Sequence, residues 1–177
     1  MENQRVRLSK SMLKDALFNL LKDKPIEKIT IYEICDAANI NRSTFYKHYG
    51  SQVDLLRDVY NDFFTDIERH LNDTLSPGTG GLQKMLSQMD AERDKCRILI
   101  NSAPQQEFSD QLFNLSAIRT IMQNQLSDKY SEKHKAYIHL FFCHGGYAII
   151  RKWLNAETPE TPREIAELLD SLAVMLL

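Results

Sequence analysis

The side chains in this chain that could do chemistry fall into two groups. The first is Arg42-Ser43-Thr44-Phe45-Tyr46-Lys47-His48, in which two cations, a histidine and three hydroxyls crowd into seven residues. That set suits recognition better than reaction. Guanidinium and ammonium groups bind phosphate, an arginine can also read a guanine edge through two parallel hydrogen bonds, and hydroxyls donate to either. The second group is His139, Cys143 and His144. His139 and Cys143 are four residues apart, which places two potential metal ligands on one helix face. No third or fourth ligand accompanies them, and a cysteine is commonly a small buried apolar residue. No glycine-rich phosphate loop, nucleophile elbow or His-Glu-x-x-His motif occurs. The sequence therefore argues against an enzyme, and neither a metal nor a cofactor is expected.

The elements that must position the first group are written into residues 30–54. Thr30 and Glu33 form Thr-x-x-Glu, a capping box that starts a helix. That helix is short, because Ala37-Ala38-Asn39-Ile40-Asn41 reads as a turn with an apolar plug. Asn41 is placed to cap a second helix over 42–49, and Gly50 stands where a left-handed residue would end it. Ser51 and Asp54 open a third helix by a related arrangement. Two short helices joined by a tight turn make a helix-turn-helix, whose second helix enters the major groove of DNA. A helix of about two turns cannot hold its own shape in water, so it must be packed. Phe45 and Tyr49, at i and i+4, are expected to face Ile34, Leu17 and Val53. Arg42, Ser43, Thr44, Tyr46, Lys47 and His48 are left for DNA or solvent. Ser43, Thr44 and Lys47 project near one another as candidates for base edges and nearby phosphates, and Arg42 is the candidate for a guanine.

This arrangement resembles the DNA-binding domain of the TetR family of transcriptional regulators over about residues 8–60. Ile29-Thr30-Ile31 looks like the entry to that family's second helix, Ile34 and Ala37-Ala38 like its apolar face, and Ile40 like its turn hydrophobe. Ser43 to Tyr49 looks like its recognition helix, and Ser51-Gln52-Val53-Asp54-Leu55-Leu56 like the start of its linking helix. Two residues depart from the pattern: Tyr49 stands where phenylalanine is usual, and Gln52 where lysine is usual. The resemblance implies phosphate contacts from Tyr46 and His48, with Thr30 and Lys47 similarly placed. Each also has a plainer role. Thr30 is first a helix cap, Tyr46 can cover the motif's surface, His48 can be solvated, and Arg42 can pair with Asp36.

Composition fits a reader of this kind. The 177 residues are 43% hydrophobic and 26% charged, an ordinary globular balance. The net charge of -2 is unevenly spread. Residues 1–50 hold nine Lys/Arg against six Asp/Glu, a net of +3, and the remainder holds 13 against 18, a net of -5. A basic head on an acidic body is the pattern of a DNA reader with a separate second domain. The expected fold is all-α, with a three-helix DNA-binding domain at 1–50 and an effector-binding and dimerisation domain at 51–177 that includes the linking helix 52–72. Further helices are expected over 81–90, 93–102, 106–126, 132–155 and 162–176, the last opened by a capping box at Thr161 and Glu164. No apolar run approaches the ~20 residues of a membrane helix, and MENQRVRLSK lacks a signal-peptide core. Three widely spaced cysteines fit a reducing cytoplasm.

Residues 138–154 are apolar on nearly all sides, so that helix should be buried on both faces. With the last helix it looks like the family's dimer interface, a four-helix bundle built by two subunits, here from Phe141, Gly145, Ala148, Ile149, Trp153, Ile165, Leu168 and Leu172. Met85, Met89, Phe108, Phe113, Met122 and Tyr137 are candidates to line an effector pocket. The body also loosely resembles a short-bodied branch that includes regulators of dihydroxyacetone kinase operons. Together these features point to a cytoplasmic homodimer that binds a palindromic double-stranded operator as a repressor and responds to a small-molecule effector. The alternative is a co-regulator that acts mainly through protein contacts.

Overall fold

The computed structural model describes residues 4–73, 80–102, 105–115 and 130–176, apart from the side chains at 70–73, 105–107, 113, 175 and 176. The described residues form helices and no strand, an all-α fold in two compact units, Met1–Phe63 and Phe64–Leu177. No helix among them is long and apolar enough to cross a membrane.

The first unit opens with α1, Gln4–Leu21, whose Leu13, Ala16, Leu17 and Leu21 recur at helical spacing and are buried. Pro25 follows in extended conformation and starts a single 3-10 turn, Ile26–Lys28. Then come α2, Ile31–Ala37, and α3, Arg42–Phe45. Helix α4, Gln52–Asp73, begins in this unit and continues past its boundary. Leu13, Leu17, Ile29, Ile34, Phe45, Leu55 and Tyr60 are essentially inaccessible and make the core on which α2 and α3 rest.

The second unit adds α5, Gly81–Ala91; α6, Arg93–Ser102; α7, Gln105–Phe113; α8, Glu132–Leu154; and α9, Pro162–Leu176. The helix expected over 106–126 stops early, at Phe113. Its last carbonyls are taken up by the Asn114 and Leu115 amides, at 3.1 and 3.3 Å, and residues 116–126 lie outside the described part. Helix α9 packs chiefly on α5, while α6 and α7 pack on α8. Aromatic edges knit the interior: the Phe108 ring is 5.0 Å from Phe64 and 6.2 Å from Tyr147. Arg93 closes the far end of α8. Its Nη1 donates to the Trp153 and Leu154 carbonyls at 2.9 and 3.3 Å, and its guanidinium lies 4.5 Å from the Trp153 ring centre. A cation is favoured there, because the last carbonyls of a helix have no intrahelical donor.

Candidate nucleic-acid interface

The first turn of α2 is built from both directions. The Glu33 amide donates to the Thr30 hydroxyl at 3.2 Å, and the Thr30 amide and hydroxyl each donate to Glu33 Oε2 at 2.9 Å. Lys24 pairs with the other oxygen of the same carboxylate. This ammonium, together with the Thr30 amide and hydroxyl, holds the Glu33 carboxyl far below its usual range, down to about 2. Lys24 is nine residues from its partner, across Pro25 and the 3-10 turn, so neither cap spacing nor helical periodicity pointed to it.

The turn between α2 and α3 is set by Asn39, the one non-glycine residue with positive φ among those described, at 52°. The Asn39 amide donates to the Asp36 carbonyl at 3.1 Å, and the Ile40 amide reaches back to Cys35 at 2.9 Å. This is a Schellman stop with asparagine in the left-handed position. The expectation for Gly50 is corrected: its φ is not in the left-handed region. A Cβ there would lie 3.1 Å from Asp54 Oδ2, so Gly50 leaves room for a carboxylate. That carboxylate accepts from the Ser51 hydroxyl at 2.9 Å, and the Asp54 amide donates to Ser51 Oγ at 3.1 Å, which starts α4.

Two further expectations change at α3. Asn41 occupies the cap position in extended backbone, but its side chain makes no capping bond. Regular α-helix covers only Arg42–Phe45 and tightens afterwards, with Lys47 bonded to Thr44 and His48 to Phe45 at i−3. Bonds of that kind satisfy the final carbonyls of a short helix. The packed side is as the spacing predicts. Phe45 is fully buried and Tyr49 nearly so, with their rings 5.7 Å apart. Arg42, Ser43, Tyr46 and Lys47 are exposed, as is Thr30 at the head of α2, while Thr44 and His48 are half-buried. Tyr46 stays 52% exposed, with its ring edge-on to Phe45 at 5.7 Å. A hydrogen bond with Tyr46 is the main cause that raises the Arg42 pKa above its ordinary value. Tyr46, four residues along the chain, is thus a hydrogen-bond partner of Arg42. Sequence reasoning passed over Tyr32, which is 65% exposed on α2. The buried positions Ile34, Cys35 and Ala38 put Tyr32 on the opposite, outward side by period alone.

In the second unit the expected interface residues separate. Phe141, Ala148 and Leu168 are exposed, and Gly145, Ile149 and Leu172 are half-buried. Among the described residues, a Cβ built at Gly145 would meet nothing within 4 Å. Trp153 and Ile165 are corrected: both are buried within the protomer. The Trp153 indole N–H donates to the Glu160 carbonyl at 2.7 Å, which together with Arg93 draws the ring inward. The candidate pocket residues differ in exposure. Met85, Met89 and Phe108 are fully buried, whereas Tyr137 is 64% exposed on the first turns of α8. Met122 and the Phe113 side chain lie outside the described residues. His139 Nε2 comes within 3.4 Å of Cys143 Sγ. Burial holds that thiol protonated, pushed up to about 11, and no group of three or more His, Cys, Asp or Glu able to hold a metal occurs among the described residues.

Comparison with known proteins bears on both units. The family model described as bacterial regulatory proteins, tetR family, matches residues 13–59. The model described as transcriptional regulator C-terminal region matches residues 79–174, more than half of the chain. An uncharacterised HTH-type transcriptional regulator of Bacillus subtilis (strain 168), YxbF, is 26% identical over 167 residues, which cover 90% of this chain and 43% of that protein. The chain therefore spans less than half the length of that relative. Among solved structures, a TetR transcriptional regulator from Streptococcus agalactiae 2603V superposes with a TM-score of 0.77 at 20% identity, with 96% of each chain covered. The dihydroxyacetone kinase operon activator DhaS superposes at 0.59 with 18% identity and 95% of each chain covered. At these identities the structural likeness establishes the fold.

Proposed function

The chain belongs to the TetR family of transcriptional regulators, which are DNA-binding factors and not enzymes, and from that premise we propose that it is a ligand-responsive repressor that reads a palindromic operator as a homodimer. One observation carries the DNA-reading part. A recognition helix seated by Phe45 and Tyr49 turns Arg42, Ser43, Tyr46 and Lys47 outward, and Thr30 is exposed at the head of α2. Arg42 reads a base edge, Ser43 and Thr44 supply hydroxyls beside it, and Tyr46, Lys47, His48 and Thr30 hold phosphates and fix the register.

Dimerisation is supported by the body's uncovered apolar groups. Tyr137, Leu140, Phe141 and Leu168 are all large, apolar and exposed on α8 and α9, and the space beside Gly145 is empty among the described residues. Exposed apolar side chains gathered on two helices mark an association surface. A two-fold dimer would set two recognition helices about one DNA turn apart, roughly 34–36 Å. The ligand response rests on family membership. An effector must favour the spacing that does not fit DNA, because a ligand that binds both states equally shifts nothing. The sign of regulation follows from where the operator lies relative to a promoter, and the same head serves an activator such as DhaS. With DNA as its partner and three free, buried cysteines, the protein acts in the cytoplasm.

The test is selection of genomic DNA fragments at physiological salt with the parent protein and with Arg42→Ala. The proposal expects a sequence enriched by the parent and lost in the variant. Equal enrichment by both would remove Arg42 from base reading. No enrichment by either would favour the co-regulator that acts through protein contacts.

A further inference from the structure

The Tyr49 ring is buried, but its hydroxyl reaches from the end of the recognition segment to α4, where it donates to Asp58 Oδ2 at 2.7 Å. The same carboxylate oxygen lies 3.0 Å from Lys14 Nζ, and that ammonium is 2.7 Å from Asp62. A polar chain Tyr49–Asp58–Lys14–Asp62 thus runs from the last turn after α3, through α4, to α1, all inside the unit Met1–Phe63. Its electrostatics agree with this connectivity. Burial works against both charges, yet the Tyr49 and Lys14 contacts hold the Asp58 pKa below its ordinary value, and Asp62 and Asp58 hold that of Lys14 above. A phenylalanine at position 49 would fill the same space and supply none of these bonds.

We propose that the Tyr49 hydroxyl, anchored on Asp58, fixes the angle at which the recognition helix is presented to DNA, which makes Tyr49 a positioning residue for operator reading. The proposal rests on the DNA-reading role above. Regular helix in α3 is four residues long, too short to hold its own direction. Phe45 and the Tyr49 ring pin it by apolar burial, and apolar contact is non-directional. The hydroxyl adds a directional point. Because the acceptor is an ionised carboxylate that is itself tied to α1, this bond is of the stronger, charge-assisted kind. Tyr49 touches no base in this scheme. It acts through the helix it holds.

The test uses the full chain as Tyr49→Phe, Asp58→Ala, Asp58→Asn and the double variant Tyr49→Phe/Asp58→Ala. Amide exchange without DNA is followed over residues 42–50, and affinity is measured on the site the parent enriches. In Tyr49→Phe and Asp58→Ala, exchange over 42–50 should quicken by about five- to tenfold, the scale of one hydrogen bond to a charged group, with 31–38 unchanged. The double variant should be no faster than the faster single variant, because both remove one link. Asp58→Asn should keep part of the protection, since its amide oxygen still accepts the hydroxyl but without the carboxylate's charge. Affinity should fall by a similar factor in the unprotected variants while its salt slope stays constant, because no phosphate contact is removed. Parent-like exchange over 42–50 in Tyr49→Phe would overturn the inference with or without DNA binding. So would altered exchange with unaltered affinity. A parent that enriches no site would overturn the DNA-reading role itself, and the exchange pattern would still decide whether the hydroxyl holds α3.

Discussion

Thr30→Ala tests how much of the head depends on one hydroxyl. Two bonds of the box disappear with it: Glu33 amide to Thr30 Oγ1, 3.2 Å, and Thr30 Oγ1 to Glu33 Oε2, 2.9 Å. The third, from the Thr30 amide to the same carboxylate at 2.9 Å, uses the backbone and survives. Loss of a capping side chain costs about 1 kcal/mol, and a seven-residue helix has little intrinsic stability with which to absorb it. For a chain of 177 residues that corresponds to a fall in Tm of roughly 2–4 °C. Thermal unfolding by circular dichroism at neutral pH measures it, with Thr30→Ser as the variant that should restore the cap. The Glu33 side of the box gives a second signature. Its carboxyl is lowered from 4.5 to about 2, first by Lys24 and then by Thr30. A depressed folded-state pKa contributes stability that is present above the unfolded value and lost as pH falls through the folded one. Glu33→Gln should therefore be less stable than the parent at neutral pH, and the gap should close between pH 4.5 and about 2. A Thr30→Ala protein with Tm within about 1 °C of the parent, where the scaling above predicts roughly 2–4 °C, would refute the reasoning.

Three other perturbations probe separate parts of the account. Asn39 holds φ at 52°, so Asn39→Gly should fold at least as stably as the parent, whereas Asn39→Val should cost about 1–2 kcal/mol in urea unfolding. Lys47→Ala should weaken binding to the enriched site and to random DNA alike, and lower the salt slope by about 1 in fluorescence titrations. A loss confined to one sequence would instead make Lys47 a base reader. Phe141→Glu places a charge on an exposed position, 62% accessible, so the protomer should keep its helix content while sedimentation shows dissociation to a monomer. A dimer that survives the substitution would exclude α8 from the interface.

What the sequence made legible was what local chemistry decides. The capping boxes at Thr30 and Thr161 form as the residues read, the latter with the Thr161 amide 2.7 Å from Glu164 Oε2 and the Glu164 amide donating back to Thr161 Oγ1 at 3.3 Å. Phe45 and Tyr49 are on the packed side because i, i+4 spacing leaves them nowhere else to go. The errors lie where a residue type has more than one use. Gly50 suits a left-handed stop, but it also suits a close carboxylate, and Asp54 took that space; the left-handed stop at Asn39 ends the preceding helix, α2. Trp153 and Ile165 have the composition of interface residues and the burial of core residues, and for Trp153 it is Arg93, 60 residues away, that decides between the two. The Tyr49–Asp58–Lys14 chain joins residues 9 and 44 positions apart. A tyrosine in place of a phenylalanine was visible in the sequence, but its partner was not, because which turn of α4 faces Tyr49 is set by tertiary packing.

The most direct test of the central claim is footprinting of the DNA that the parent protein enriches from genomic fragments at physiological salt. The account predicts a protected palindrome whose half-sites are centred one helical turn apart, about 34–36 Å, or a multiple of it. Salt-sensitive binding with no enriched sequence would contradict it, because the head would then supply charge without reading bases.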